Sequence, residues 1–460
     1  MDKENMPQNG VQKDMFGDFA NVKVPEDKTK SFYGMFLVFT GVLVSIAVLY
    51  GGAGLGNGLS AKDILIASVT GSVILGIVGA LTAVIGANTR TSTYLLLRYP
   101  FGRGGSKLAG AAVSGIGCGI GWFFIQAYLF GTVFETISME VFGEVYWIAS
   151  APVAAFWGAC LMSLTAYFGY KGLAFLSYLA VPLFMILLLA GTYAAVTEAG
   201  GFNQAVSAAP EASITMSAAI TSVIGMYVAG ATITPDISRY AKSPKAGAAA
   251  WFLQVVVLQP VLMLCAGLLT LLTPMGDIAQ AMAFLGMGLG ALALIIFGQW
   301  TTNDNNLYNG SLAFANTVRI SKKKITLIMG GIGAVLASLT AAGVFGADPF
   351  MEFLNQLGRF LPPIAGILIA DYYIFRPYVL GIKDPKKRYV FGEGTEYSQW
   401  NWVGIISWVA GTIASPYLPG AVGFNSIAIA FVVYLVLATL AEKANIKYEQ
   451  GSYIETSDGF

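Results

Sequence analysis

Run after run of about twenty apolar residues sets the limits on this chain, because backbone in lipid must satisfy its hydrogen bonds internally and each run is long enough to cross a bilayer as a helix. The runs fall near 32–54, 63–87, 108–136, 147–168, 173–197, 213–234, 247–272, 284–318, 325–345, 350–374, 400–416 and 420–441, about twelve crossings in all. The run at 284–318 is overlong and suggests an interfacial start. Hydrophobic residues make up 56% of the sequence and charged residues 11%. Charged residues are about a quarter of an ordinary soluble domain, so this chain lacks the polar surface to be one. The expected fold is an all-α polytopic membrane protein.

Loop charge gives the orientation. Lys and Arg gather in alternate loops: Arg90, Arg98, Arg103 and Lys107; Lys171; Arg239, Lys242 and Lys245; Arg319 and Lys322–Lys324; Arg376, Lys383 and Lys386–Arg388. The other loops hold Lys62 and otherwise acids such as Glu140, Glu144, Glu198 and Asp277. Basic loops stay on the cytoplasmic side, so both termini are expected there and the number of crossings is even. The tail before Ser31 is polar, which argues against a cleaved signal peptide and makes the first span the insertion signal. Cys118, Cys160 and Cys265 lie in apolar runs without metal-ligand spacing and read as small buried residues. With no histidine, the chain lacks the usual proton shuttle and metal ligand, which weakens enzyme readings. No Walker A, zincin or nucleophile-elbow pattern occurs, and the basic loops need no nucleic-acid partner.

One stretch sits in the wrong solvent. Gln299-Trp300-Thr301-Thr302-Asn303-Asp304-Asn305-Asn306 falls within an apolar run, where polar groups are costly and are turned to a partner, a cavity or a substrate path. At helical spacing Gly298, Thr301, Thr302, Asn305 and Asn309 share one face. Hydrogen-bonding glue between helices is the plain reading for one such residue. At this density a binding site is the better one. Two other spans read as interrupted: the first at Gly41, with Ser45 one turn on, and the sixth at Gly225–Thr232. Broken helices at corresponding places in two halves point to a transporter's midplane site. Spans one and six are five apart, which suits two five-helix repeats of opposite topology. In the third span Trp122 and Gln126 are one turn apart, a flat ring beside an amide, as a small planar heterocycle would require. Tyr227 in span six is placed to close the other face. Glu135, Asp236 and Asp371 fall near span ends and are given no catalytic role. Arg359 precedes Phe360-Leu361-Pro362-Pro363, whose prolines should break span ten and free its first part.

Trp300-Thr301-Thr302-Asn303-Asp304-Asn305, with Leu307-Tyr308 and Phe314-Ala315-Asn316, closely resembles the eighth helix of bacterial cytosine permeases, in the nucleobase:cation symporter-1 family. Gly58-Leu59-Ser60, Phe101-Gly102, Gly121-Trp122-Phe123, Thr232–Asp236 with Arg239, and Pro362-Pro363 with Ile369–Tyr372 match as well. The resemblance implies a five-plus-five inverted-repeat (LeuT-like) core followed by two C-terminal helices. It divides the chain into a cytoplasmic tail at 1–30, a first repeat at 31–197, an inverted second repeat at 213–375, two extra helices at 400–441 and a cytoplasmic tail at 442–460.

Carried over by position, the resemblance makes Thr301 and Thr302 the hydroxyl ligands of a sodium ion and Gly298 a carbonyl ligand. Helix one supplies two further carbonyls, placed at Gly41 and Val44, with Thr40 and Leu43 the alternative register. Trp122 and Tyr227 become the stacking aromatics, Gly225 offers backbone groups to the substrate and Asn303 faces it. Asp304 and Asn305 stay open between coupling and packing. Two positions depart from cytosine permeases. Gly119 stands where they carry a substrate-binding glutamine, and Met226 where they carry a serine; Gln126 instead resembles the arrangement in the family's hydantoin transporter. Such changes alter which ring edge is read. The expected protein is an inner-membrane symporter, not an enzyme, importing a nucleobase, hydantoin or allantoin type of ring. Sodium is the coupling ion and a proton the alternative. No covalent cofactor or partner protein is implied.

Overall fold

The computed structural model describes residues 23–168, 173–287, 298–300, 302–304, 306–308, 310–311, 314, 320–346, 349–391, 396–446 and 453–454. The expectations placed on Thr301, Asn305 and Asn309, and much of the run at 284–318, lie outside them. Apart from a two-residue antiparallel ladder, Glu396–Tyr397 with Tyr453–Ile454, the described regular structure is helical.

Seven described helices are long and apolar enough to cross a membrane, or eight when a bent pair at the start counts as one span. The bent pair is α1 (Phe32–Leu43) and α2 (Ile46–Gly56), at 56° to one another. There follow α3 (Ala61–Thr89), α4 (Arg98–Phe142), α5 (Ala151–Phe168), α6 (Leu173–Glu198), α7 (Met216–Ser238) and α8 (Pro244–Leu271). A short α9 (Ile278–Phe284), α10 (Lys322–Ala341), α11 (Pro349–Val379), α12 (Trp402–Ala414) and α13 (Val422–Lys443) come next, and short helical turns at Thr93–Leu96 and Phe202–Ser207 lie between the longer elements. The described residues from 298 to 314 are helical and lie in the eighth apolar run, called the eighth span below.

Local chemistry explains many of the starts. Ser60 caps α3 by accepting from the Asp63 amide while donating to its carboxylate, so two groups at that end satisfy one another. Ser243 caps α8 just ahead of Pro244, whose missing N–H costs nothing in the first turn. Glu135 of α4 accepts from the Ala151 amide at 2.6 Å, capping α5 from a neighbouring helix.

The helices sort into two packed groups. α7 lies along α3 and α2 lies along α8, whereas α4 and α5 pack with α10 around a separate apolar core that includes Phe123, Phe130, Met162 and Met329. α11, α12 and α13 pack together beside them. Among the described residues, the basic loops around Arg90, Arg103 and Lys242 meet at one end of the molecule. There Lys30 pairs with Tyr240 and Lys242, the Val24 amide reaches the Arg90 carbonyl, and the Arg103 amide reaches that of Ser398. Asn57, Ile214, Gly276 and Gly420 mark the opposite end through their own bonds.

Two expected interruptions are corrected. In the first span Gly41 stays helical, and the chain breaks at Val44 and Ser45. Ser45 is extended (φ −129°, ψ 154°) and its amide turns to the Leu43 carbonyl at 2.7 Å. In the sixth span the helix runs unbroken from Met216 to Ser238. Its Gly225 serves close packing instead: a side chain there would collide with the Leu354 carbonyl of α11. The third span is longer than expected because its first part, past the kink at Gly102 (φ 76°), continues the membrane helix into the basic end.

Candidate functional site

The break in the first span exposes backbone oxygen. In a continuous helix the Ser45 amide would bond to the Gly41 carbonyl and the Val48 amide to that of Val44. Here they go to Leu43 and Ser45 instead, at 2.7 and 3.2 Å, which releases both carbonyls from the helical ladder. The eighth span crosses this point, for a side chain at Gly298 would meet Ile46, the first residue of α2. The Thr302 hydroxyl donates to the Gly298 carbonyl at 2.9 Å, so its lone pairs remain free to face a cation. Hydroxyl and carbonyl oxygens without a carboxylate make a hard, neutral donor set, which suits a monovalent cation. Among the described residues no cluster of three or more His, Cys, Asp or Glu side chains could hold a metal.

Trp122 ends a run of π-type turns, Ala111–Trp122, a geometry that recurs at functional sites. The indole is buried and meets Phe350 and Phe353 edge-on, at centroid distances of 6.3 and 5.2 Å. Both phenylalanines belong to the first part of α11, ahead of the interruption at Leu361. One turn on, Gln126 is 1% exposed and its Oε1 has no protein partner. Tyr227 lies flat against Trp251 of α8, with centroids 5.0 Å apart and planes at 10°, so a neighbour already covers one face of its ring. Trp251 is fixed by its Nε1 donating to the Leu75 carbonyl at 3.0 Å. Sequence reasoning missed Trp251, Phe350 and Phe353, because aromatic residues in apolar runs carry no mark of the face they turn to.

The rest of the polar stripe faces other helices. Asn303 is fully buried and donates to the Phe123 carbonyl at 3.0 Å and toward Met162 Sδ, which places its amide at the junction of α4 and α5. Asp304, 3% exposed, accepts from the Thr165 hydroxyl at 2.9 Å, and that hydroxyl accepts from Trp300 Nε1 at 3.1 Å. This pair looks toward α5, away from the break in the first span. Gly119, noted as a departure, also has a physical cause. A side chain there would run into the Gly310 Cα, because the third and eighth spans cross backbone to backbone.

The chain matches the family described as permease for cytosine/purines, uracil, thiamine, allantoin over residues 22–439. It belongs to that family. It is therefore a transporter and not an enzyme. The cytosine permease of Escherichia coli (strain K12) is 29% identical over 91% of this chain and 94% of its own length. The purine-uracil permease NCS1 of Arabidopsis thaliana is 24% identical over 86% of this chain and 70% of its own. Among solved structures, Mhp1 in its inward-facing conformation superposes with a TM-score of 0.78 at 16% identity, covering 92% of this chain and 93% of that one. Mhp1, a nucleobase-cation-symport-1 family transporter, in a closed conformation with bromovinylhydantoin bound gives 0.72, again at 16% identity, over 92% of this chain and 96% of that one. The fold is LeuT-like.

Proposed function

We propose that the chain is a sodium-coupled symporter that brings a nucleobase or related planar heterocycle into the cell. The observation that carries this reading is the meeting of the broken first span with Gly298, whose carbonyl accepts from Thr302, beside a helix that presents a buried indole and an unsatisfied amide. Gly41, Val44, Gly298 and Thr302 would hold the ion, with Thr301 as the second hydroxyl. A sodium ion there supplies positive charge that ties the eighth span to the first. Trp122 then stacks the ring, Gln126 reads its edge, and Tyr227, backed by Trp251, forms the far wall. Asn303 and Gly225 set helix positions around the site. The basic end faces the cytoplasm, with both termini, and the protein resides in the cell membrane.

The relatives support the substrate class, for they include a cytosine permease and a purine-uracil permease, and Mhp1 holds bromovinylhydantoin. A thermal-shift panel of purines, pyrimidines, hydantoin and allantoin, each with and without sodium, tests both halves. A bound ligand stabilises the folded state, by about 2.7 kcal/mol at a hundred times its Kd. The expected result is one ring class whose shift needs sodium. Stabilisation that follows pH and ignores sodium would overturn the ion assignment in favour of proton coupling.

A further inference from the structure

We propose that a cavity between α4 and α7, at the basic end, is a cytoplasmic subsite that holds the lactam edge of a single-ring heterocycle between Trp122 and the cell interior. This rests on the substrate class and orientation given above. The cavity measures about 60 Å³, and Thr93, Tyr94, Lys107, Gly110, Ser114 and Asp236 are among its walls. Thr93 follows the Arg90 loop, Lys107 follows Arg103, and Asp236 lies in the last turn of α7 ahead of Lys242, so the cavity belongs to the basic end. Ser114 stands eight residues ahead of Trp122 on the same π-type run, which puts the cavity on the basic side of the indole. Roughly four to six waters fill such a volume, about what a single ring displaces.

The walls are held in place by their own contacts. The Thr93 amide donates to Asp236 Oδ1 at 2.7 Å, which ties the turn before α4 to the end of α7 and fixes the carboxylate. The Thr93 hydroxyl, on a residue 3% exposed, has no protein partner. A buried hydroxyl without a bond costs stability until a ligand or water completes it. The Arg98 guanidinium lies over the Tyr94 ring, 5.2 Å from its centre, and steadies an aromatic surface beside the charged groups. Charge then selects the solute. An anion would be repelled by Asp236 and a cation by Lys107. A neutral ring edge with an N–H beside a C=O answers both, the N–H donating to the carboxylate and the C=O accepting from the ammonium. A carboxylate accepts several bonds and an ammonium donates several, so each can serve a ligand alongside its protein partners. Gly110 leaves room for a test: a Cβ there would come no closer than 3.5 Å to Tyr94, an ordinary contact, so a larger side chain can occupy the cavity.

Equilibrium binding of radiolabelled uracil, cytosine and hydantoin to the full-length protein in nanodiscs, with and without sodium, provides the test. The expected isotherm for at least one ring has two phases, a tight one that needs sodium and a weaker one that does not. Gly110→Leu should abolish the weak phase, and Thr93→Val should weaken it about three- to tenfold, the effect of one lost hydrogen bond. Both variants should keep the affinity of the tight phase. Thr93→Val exchanges an unpartnered hydroxyl for a methyl group of similar shape, so the ligand-free Tm should hold or rise, which separates a binding role from a structural one. Dimethyluracil, methylated at both ring nitrogens and so without an N–H, should not compete for the weak phase. The subsite is overturned if the wild type shows no sodium-independent phase, if Gly110→Leu or Thr93→Val leaves that phase unchanged, if Thr93→Val lowers the Tm, or if dimethyluracil competes as well as uracil. Failure of the inner site has a different signature: the sodium-dependent phase is then missing while the weak phase and its response to both variants remain.

Discussion

Two buried polar regions of this membrane protein solve opposite problems. At the basic end of α11, Asp371 is wholly buried and fully engaged. Arg376 Nε donates to it at 2.9 Å, Tyr434 donates at 2.8 Å from α13, and Tyr389 donates to the same oxygen as Arg376. The Arg376 guanidinium also lies over the rings of Tyr99 and Tyr389, at 4.3 and 5.0 Å. The eighth span, by contrast, leaves Gln299 Oε1 and Nε2, Asn303 Oδ1, Asp304 Oδ2 and Asn306 Nδ2 without protein partners. Each such group costs about 1–3 kcal/mol in a folded core. A satisfied network anchors the fold, while an unsatisfied one is tolerated where a ligand or a moving neighbour supplies the missing bond.

The largest expected effect would break the anchor. Asp371→Ala leaves Arg376 buried without its carboxylate, and removing one partner of a buried pair costs about 3–5 kcal/mol. The Tm of purified protein should fall sharply and yield should drop, with ligand failing to rescue either. If Asp371→Ala instead keeps its stability and loses sodium dependence, the division between anchor and site is wrong. Trp122→Ala comes next. Aromatic stacking on a base is worth about 1–3 kcal/mol, so binding should weaken about ten- to a hundredfold. Direct binding of the ring that responds in the thermal-shift panel checks it. Thr302→Ala should follow, raising the sodium concentration needed for half-maximal binding about tenfold while leaving the insertion and folding of the protein intact. Full sodium stimulation of uptake in that variant would remove the ion from this place.

Much of this contrast is legible in the sequence. The polar stripe at 299–306, the Trp122–Gln126 pair and the alternating basic loops are patterns of one residue type in the wrong solvent or at a fixed spacing, and such patterns survive in a linear string. What was not legible depends on which faces meet. The break in the first span falls at Ser45, although glycine made Gly41 the natural choice, because the turn is fixed by where the Ser45 amide finds an acceptor. Gly225 reads as a flexible point and is a crossing point. Asn303 reads as facing substrate, yet its amide bonds to a carbonyl of α4. Asp371 gave no hint of its network, since Arg376, Tyr389 and Tyr434 are brought to it from three separate segments.

Asp277 lies at the end opposite Asp371, next to Gly276, and offers the smallest but most diagnostic test. It caps α9, accepting from the Ala279 and Gln280 amides at 2.8 and 3.3 Å. Burial pushes its carboxyl up from the usual carboxylate range, and those two amides pull it down by less. A carboxyl whose value is raised by folding favours the folded state most at low pH, below its unfolded value, and loses that contribution as pH rises through the folded value. The wild type should therefore gain stability relative to Asp277→Asn as pH falls from neutral toward the ordinary carboxylate range. Asparagine still caps a helix, so the comparison isolates the charge. Parallel Tm-against-pH curves for the two proteins would place Asp277 with the satisfied anchor. A converging pair that also responds to heterocycle binding would place it with the open stripe.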